Sequence, residues 1–302
     1  MKLVYGLPLH SCPPWPDFTD GGVLLDLGRQ AEARGCAGVF LTEHPAPSQA
    51  WRESGGHDAL DPFVALGAVS AVTERLRLFT YLTVVPYRNP FLLAKTVATL
   101  DRISGGRLEL GTGTGYQKGE FAALGVDFDE RNELFDESLE VMKLAFTGEP
   151  VVYEGRHFRS KGNALLPTPI QQPSPRLWFG GNSTITLQRI VDHDGGWMPL
   201  PNARSSTRAL HSPALEGLDD MARYLERLGG MASEAGKPMP PVLYCLPRAT
   251  QLASGDRLDH VRQVAGLGVE WFSVNGEGTN AAEASAFLDD ITSELAGEME
   301  PA

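Results

Sequence analysis

Glu43 and His44 close a short apolar run, residues 39–42, that reads as a β-strand. A histidine at a strand end can pass a proton or hydrogen-bond a ring carbonyl, because both of its charge states are accessible near neutrality. Bracing a loop is the plainer use of the same residue. Further along, Phe79-Thr80-Tyr81-Leu82-Thr83 sets hydroxyls on alternating faces of a strand, Tyr81 and Thr83 on one and Thr80 on the other. Such hydroxyls can bond the heteroatoms of a ring system, although threonine is also simply a good strand former. Gly111-Thr112-Gly113-Thr114-Gly115-Tyr116 is a glycine loop whose bare backbone admits a flat or anionic ligand. Its G-x-G-x-G spacing lacks the third glycine of a dinucleotide fingerprint at the required offset, and it does not open the fold. Finally, Gly180-Gly181-Asn182-Ser183-Thr184 permits close approach and supplies a cap for the next helix. The free N–H groups of that helix start form a phosphate site that needs no lysine; an ordinary glycine turn with a cap is the alternative.

These four groups all fall where strands end, which fixes what the rest of the chain must do. Apolar runs at 3–8, 39–42, 76–85, 108–110, 176–179, 196–198, 242–246 and 270–274 read as eight strands. Between them lie helical patterns near 22–34, 61–73, 89–104, 130–147, 183–193, 215–235, 256–267 and 282–296. Asp61-Pro62 and Asn89-Pro90 each pair an N-cap with proline at the first helical position, and Gly35 stands in the C-cap role. Residues 108–110 read as a strand with little polar surface, and Cys12–Pro16 as a loop rich in proline. Alternation of this kind predicts a single-domain (β/α)8 barrel over 1–302, with its ligand rim built from the loops after the strands. One excursion interrupts it. Residues 151–158 read as a hairpin turning at Glu154-Gly155, and a proline-rich run follows. An insertion over 149–175, after strand four, is expected to fold over the active-site rim; a hairpin bracing the barrel is the other reading.

Composition removes several classes of function. A net charge of −12 over 302 residues, with no Lys/Arg run, argues against nucleic acid or an anionic membrane as partner. Three widely spaced cysteines imply neither a disulfide framework nor a zinc cluster, and the seven histidines show no H-x-H or H-x-x-x-H spacing, so no metal is expected. No stretch is apolar enough to span a membrane, and the first residues lack a secretion-signal pattern, so a cytoplasmic location is expected.

Several motifs together are similar to one known family. Asp61-Pro62, Pro86-Tyr87-Arg88-Asn89-Pro90, the run 98–107, Gly111–Gly115, the run 124–128, Gly148-Glu149-Pro150 and Trp178–Gly181 resemble the bacterial luciferase-like superfamily. Within it the chain looks most like the branch that uses the deazaflavin coenzyme F420. The resemblance implies a (β/α)8 TIM barrel with an insertion after strand four, a flavin-type ring across the rim, and a homodimer. By position it makes Glu43 and Thr83 contacts of the ring or tail, and His44 the histidine acting near the ring. Thr114, Gly115, Gly180, Gly181, Ser183 and Thr184 match cofactor-binding loop positions, and a non-proline cis peptide is implied at Thr80–Tyr81 or Tyr81–Leu82. Sugar-phosphate dehydrogenases of this branch carry a glutamate where this chain has Tyr116, and an amide where it has Gly119. A glucose-6-phosphate substrate is therefore not expected, and Tyr116 becomes a candidate proton donor or apolar wall.

The combined expectation is an F420-dependent oxidoreductase transferring a hydride to or from a small organic substrate. His44 and Tyr116 would serve as catalytic residues. Glu43, Thr80, Tyr81, Leu82, Thr83, Gly113, Thr114, Gly115, Gly180, Gly181, Asn182, Ser183 and Thr184 would bind the cofactor. An FMN-dependent monooxygenase is the alternative on the same fold. A non-catalytic flavin-binding protein and, more distantly, a metal-dependent barrel hydrolase are the readings from other classes.

Overall fold

The computed structural model describes residues 1–8, 16–247 and 256–300, so Cys12–Trp15 of the proline-rich loop lie outside the described residues. Each short apolar run becomes a parallel strand: β1 (Lys2–Gly6), β2 (Gly38–Leu41), β3 (Arg77–Thr80), β4 (Thr83–Val84) and β5 (Leu108–Gly113). After a hairpin of β6 (Val151–Glu154) and β7 (Arg159–Asn163) come β8 (Arg176–Gly180), β9 (Gly196–Met198), β10 (Leu243–Cys245) and β11 (Trp271–Asn275). The main sheet runs β10-β11-β1-β2-β3-β5-β8-β9, with β4 paired to β5 at its side. Trp197 bridges Val242 in parallel and donates its N–H to the Pro241 carbonyl at 2.8 Å, which brings β9 to β10 and rounds the sheet into a nearly closed eight-stranded barrel.

The helical layer follows the caps. Helices α1 (Gly21–Ala33), α2 (Gln49–Glu53), α3 (Pro62–Ser70), α4 (Pro90–Ile103), α5 (Lys118–Ala123) and α6 (Arg131–Ala145) occupy the first half. The second half holds α7 (Thr184–Asp192), α8 (Thr207–Leu210), α9 (Leu218–Glu234), α10 (Asp256–Gly266) and α11 (Ala281–Leu295). Asp61 accepts from the N–H groups of Phe63 and Val64, and Asn89 accepts from Phe91, as their cap-plus-proline signatures require. The short helices α2 and α8 carry no periodic signal and were not anticipated.

Three sequence expectations are corrected. The third strand is not continuous over 76–85: it breaks at Tyr81–Leu82, where the peptide bond is cis. Between the pairs Phe79–Glu109 and Thr83–Thr112 it carries one residue more than β5 opposite, which is a bulge. Strand β5 is not free of polar surface either. Leu108 and Leu110 pack toward the helices, whereas Glu109 is fully buried on the opposite face, paired with Arg77 and accepting from Trp178 Nε1 at 2.7 Å. A buried carboxylate is tolerable only with such partners. Around it the barrel interior is filled by Val4, Phe40, Phe79, Trp178, Met198 and Leu243.

The insertion is the third correction. Its hairpin is longer than 151–158, pairing Val152 with Lys161 and Glu154 with Arg159. It also packs along the outside of the barrel. Glu137 of α6 accepts from the N–H groups of His157 and Phe158, and Tyr153 donates to Glu140 at 2.9 Å. Asp101 of α4 accepts from the N–H groups of Ile170 at 2.7 Å and Gln171 at 3.0 Å, while Arg102 reaches the Thr168 carbonyl. No residue of 149–175 lines the cleft described next. The prolines keep the run extended, and an extended run leaves its N–H groups free for side chains of the neighbouring helices.

Candidate active site

At the C-terminal ends of the strands lies a cleft of about 660 Å³. Its walls come from the residues just after β2, β3, β5, β8, β9, β10 and β11, the ligand face of a β/α barrel. The broken third strand supplies its floor. Leu82, delivered by the bulge, lies against two glycines: a Cβ on Gly113 would stand 2.5 Å from Leu82 Cδ1, and one on Gly180 2.1 Å from Leu82 Cδ2. Carbon atoms pack at about 3.5–4.0 Å, so both positions must lack a side chain for this ledge to exist. Tyr81 and Leu82 face the cleft together with Gly113, Thr114, Gly115, Gly180 and Gly181.

His44 stands on the wall beside this ledge. Its Nδ1 lies 3.2 Å from Glu120 Oε2, and the same carboxylate accepts from Ala46 N–H at 3.2 Å and from Tyr87 O–H at 3.1 Å. Burial, then the Glu120 charge, push the Tyr87 phenol well above its ordinary range, so it stays protonated and donates. The imidazole also packs against Trp51 at 4.5 Å and His57 at 4.9 Å between ring centroids. Tyr116 closes the group, 6.3 Å from His44 by centroid, and burial raises its pKa so that it remains a phenol. Glu43 borders the cleft but is engaged elsewhere: its carboxylate accepts from Val84 N–H and from both Nε and an Nη of Arg88. Burial pushes its pKa up against those partners, and the carboxylate ties β4 to Arg88 just beyond it.

The glycine turn after β8 is held in place by the cap of α7. Ser183 caps α7 by accepting from Thr186 N–H at 3.1 Å, and Thr186 Oγ1 stands 2.9 Å from Ser183 Oγ. Gly181 has φ +107, and a Cβ there would lie 3.6 Å from Thr186 Oγ1 and 3.7 Å from Ser212 Oγ, so a hydroxyl-lined hollow opens over it. Asn182 lines the cleft with a side chain already committed to the Leu200, Pro213 and Asn202 oxygens, which tie the β8 and β9 loops together. Across the cleft Arg131 lies 3.9 Å from the Phe128 ring centroid, with His211 and Lys118 on the same ring at 5.5 and 4.9 Å. Burial, Arg131 and Lys118 lower the His211 pKa. Arg131 and His211 line the cleft, and Lys118 meets them on the Phe128 ring without lining it.

Three expected cofactor contacts do not line the cleft. Thr80 is fully buried and donates to the Gly111 carbonyl at 2.8 Å. Thr83 is buried beside β5, because the bulge moves it off the face it would hold in a regular strand. Thr184 turns outward and accepts from Arg227 of α9 at 2.9 Å. Conversely, Glu120, Trp51, His57, Arg131, His211, Cys245 and Asn275 were missed. Only Glu120 carried a signal, as an acid in the first turn of the helix that follows the glycine loop.

Comparison with known proteins agrees with this geometry. The luciferase-like monooxygenase family matches residues 19–295. The chain belongs to that family. An uncharacterized protein of Mycobacterium tuberculosis, Rv0953c, is 28% identical over 305 residues, covering 97% of this chain and 98% of the relative. Among solved structures, the monooxygenase RslO1 from Streptomyces bottropensis superposes with a TM-score of 0.79 at 22% identity, covering 99% of this chain and 100% of that one. An F420-dependent secondary alcohol dehydrogenase, in complex with an F420-acetone adduct, gives 0.73 at 16% identity, covering 99% and 98%. The FMN-bound oxygenating constituent of a diketocamphane monooxygenase from Pseudomonas putida gives 0.67 at 19%, covering 81% and 66%. At these identities the likeness to solved structures is one of fold, and it bears out the luciferase-like barrel.

Proposed function

We propose that this family member is a deazaflavin (F420)-dependent oxidoreductase acting on a small organic substrate. The observation that carries the reading is His44, held by a buried carboxylate on the cleft wall beside the Leu82 ledge. That combination puts a fixed proton-transfer group next to a flat apolar support. The ledge that Leu82 makes against Gly113 and Gly180 and the hollow over Gly181 suit a tricyclic ring with a phosphorylated tail. In this reading Leu82 and Tyr81 support the ring, while Ser183, Thr186 and the first N–H groups of α7 hold the phosphate. Arg131 attracts the remaining anionic tail. When bound, such a cofactor supplies two-electron hydride chemistry at a ring carbon. His44 takes or returns the substrate proton, and Tyr116 is placed to donate a hydrogen bond across the same space.

FMN-dependent monooxygenation is the second reading, since ledge and grip suit either tail and RslO1 is a monooxygenase. Parallel titration of the purified protein with F420 and with FMN, followed by fluorescence, separates them. Tighter binding of F420 is expected; preferential FMN binding would overturn the deazaflavin assignment. We also propose a homodimer, supported by the exposed Val64 of α3 and Leu92 and Ile103 of α4, an apolar face on adjoining helices.

A further inference from the structure

Glu120 has two carboxylate oxygens and three donors or potential donors around it, and that arithmetic constrains the histidine. Ala46 N–H reaches Oε1, while Tyr87 O–H and His44 Nδ1 both reach Oε2. An ionised carboxylate only accepts, and an amide N–H only donates. Tyr87 has its phenolic proton held on by burial and by the Glu120 charge, so it too donates. The third contact is then satisfied only if His44 carries its proton on Nδ1. A neutral His44 of this kind leaves Nε2 unprotonated, and that nitrogen has no hydrogen-bond partner among the described residues. Glu120 is itself 1% exposed and does not line the cleft, so it acts through His44 and does not touch a ligand.

We propose that Glu120, braced by Tyr87 and Ala46, is a positioning residue that selects the Nδ1–H tautomer of His44 and so offers Nε2 to the cleft as a proton acceptor. This inference rests on the reading of His44 as the proton-transfer group, but not on which cofactor binds. A hydroxyl on the reacting carbon satisfies such an acceptor directly. Trp51 and His57, packed on the imidazole, hinder the ring flip that would undo the choice.

The test is the tautomer itself. Long-range ¹H–¹⁵N spectra of the cofactor-free, full-length protein labelled at histidine distinguish a pyrrole-type from a pyridine-type nitrogen, and the His44→Gln spectrum identifies the His44 signals. In the neutral ring, reached by raising the pH until the spectrum stops changing, Nδ1 is expected to be pyrrole-type and Nε2 pyridine-type; the reverse would overturn the inference. In Glu120→Gln the amide can donate as well as accept, so the Nδ1–H form should lose its dominance. A Glu120→Gln tautomer like wild type would overturn it equally. Tyr87→Phe, which removes one donor and keeps the acceptor, should retain the Nδ1–H form; a reversed tautomer there would refute the assignment to Glu120. Where a substrate is in hand, Glu120→Gln should lower kcat by at least about 10-fold with cofactor Kd unchanged. A protein with the expected tautomer that binds neither F420 nor FMN supports this inference while removing the cofactor reading.

Discussion

Gly180→Ala is the most direct test of the Leu82 ledge. Gly180 does not have a positive φ, so alanine suits its backbone and the whole cost is steric. The new methyl would stand 2.1 Å from Leu82 Cδ2, far inside contact distance. Leu82 is held on the other side by Gly113, where its Cδ1 lies 2.5 Å from a would-be Cβ. Moving away from both glycines takes the side chain toward the cleft it lines. Overpacking of this sort costs about 1–3 kcal/mol, and because a displaced Leu82 would take up space that a ligand needs, most of it should appear on ligand binding and little on folding. At about 1.4 kcal/mol per factor of ten, cofactor Kd should rise roughly 5- to 150-fold, with urea stability of the cofactor-free protein lowered by less than about 1 kcal/mol. The assay is fluorescence titration with F420 and with FMN across the cycle of Gly180→Ala, Leu82→Ala and the double variant. If Leu82 transmits the effect, adding Gly180→Ala to Leu82→Ala should cost nothing further. A wild-type Kd for Gly180→Ala, or an equal penalty in both backgrounds, would refute the reasoning.

His44→Ala should lower kcat by about 10²–10⁴ with a near-normal cofactor Kd, measured by steady-state kinetics and titration; unchanged turnover would reduce His44 to a structural part. Arg131→Ala should weaken cofactor binding at low salt and lose that effect at about 1 M salt, seen in titrations at two ionic strengths. Amide exchange over 151–175 should be slow at the Glu137- and Asp101-bound amides and unchanged by cofactor, in contrast to a lid, which would slow on binding. Glu32 accepts from the N–H groups of Glu74, Arg75 and Leu76; burial raises its pKa, but those donors outweigh it and the net shift is downward. Its stabilisation should thus be present above the ordinary glutamate pKa of about 4.3 and fade as pH falls through the lower folded value. Urea curves of wild type and Glu32→Gln should accordingly differ at about pH 6 and draw together as the pH is lowered beyond the ordinary glutamate range.

The order of strands and helices was legible because it rests on local rules. Asp61-Pro62 and Asn89-Pro90 open helices through bonds that reach only two or three residues, and apolar runs such as 39–42 and 176–179 have one stable place, inside a parallel sheet. Rim position marked His44, Tyr116, Leu82 and the glycines of β5 and β8 for the same reason: they follow strands directly. The sequence could not reveal which way a side chain turns once a strand is interrupted. The bulge after Phe79 buried Thr83, and a helix packed outside the barrel drew Thr184 to Arg227. Nor could it show that Glu120 meets His44 across 76 residues, or that Lys118, Arg131 and His211 gather on one phenylalanine. Those contacts depend on barrel closure, which sets the distance between loops without leaving a periodic trace in any of them. The 149–175 segment shows the same limit: its extended form was written in its prolines, but its place was decided by the free carboxylates of α4 and α6.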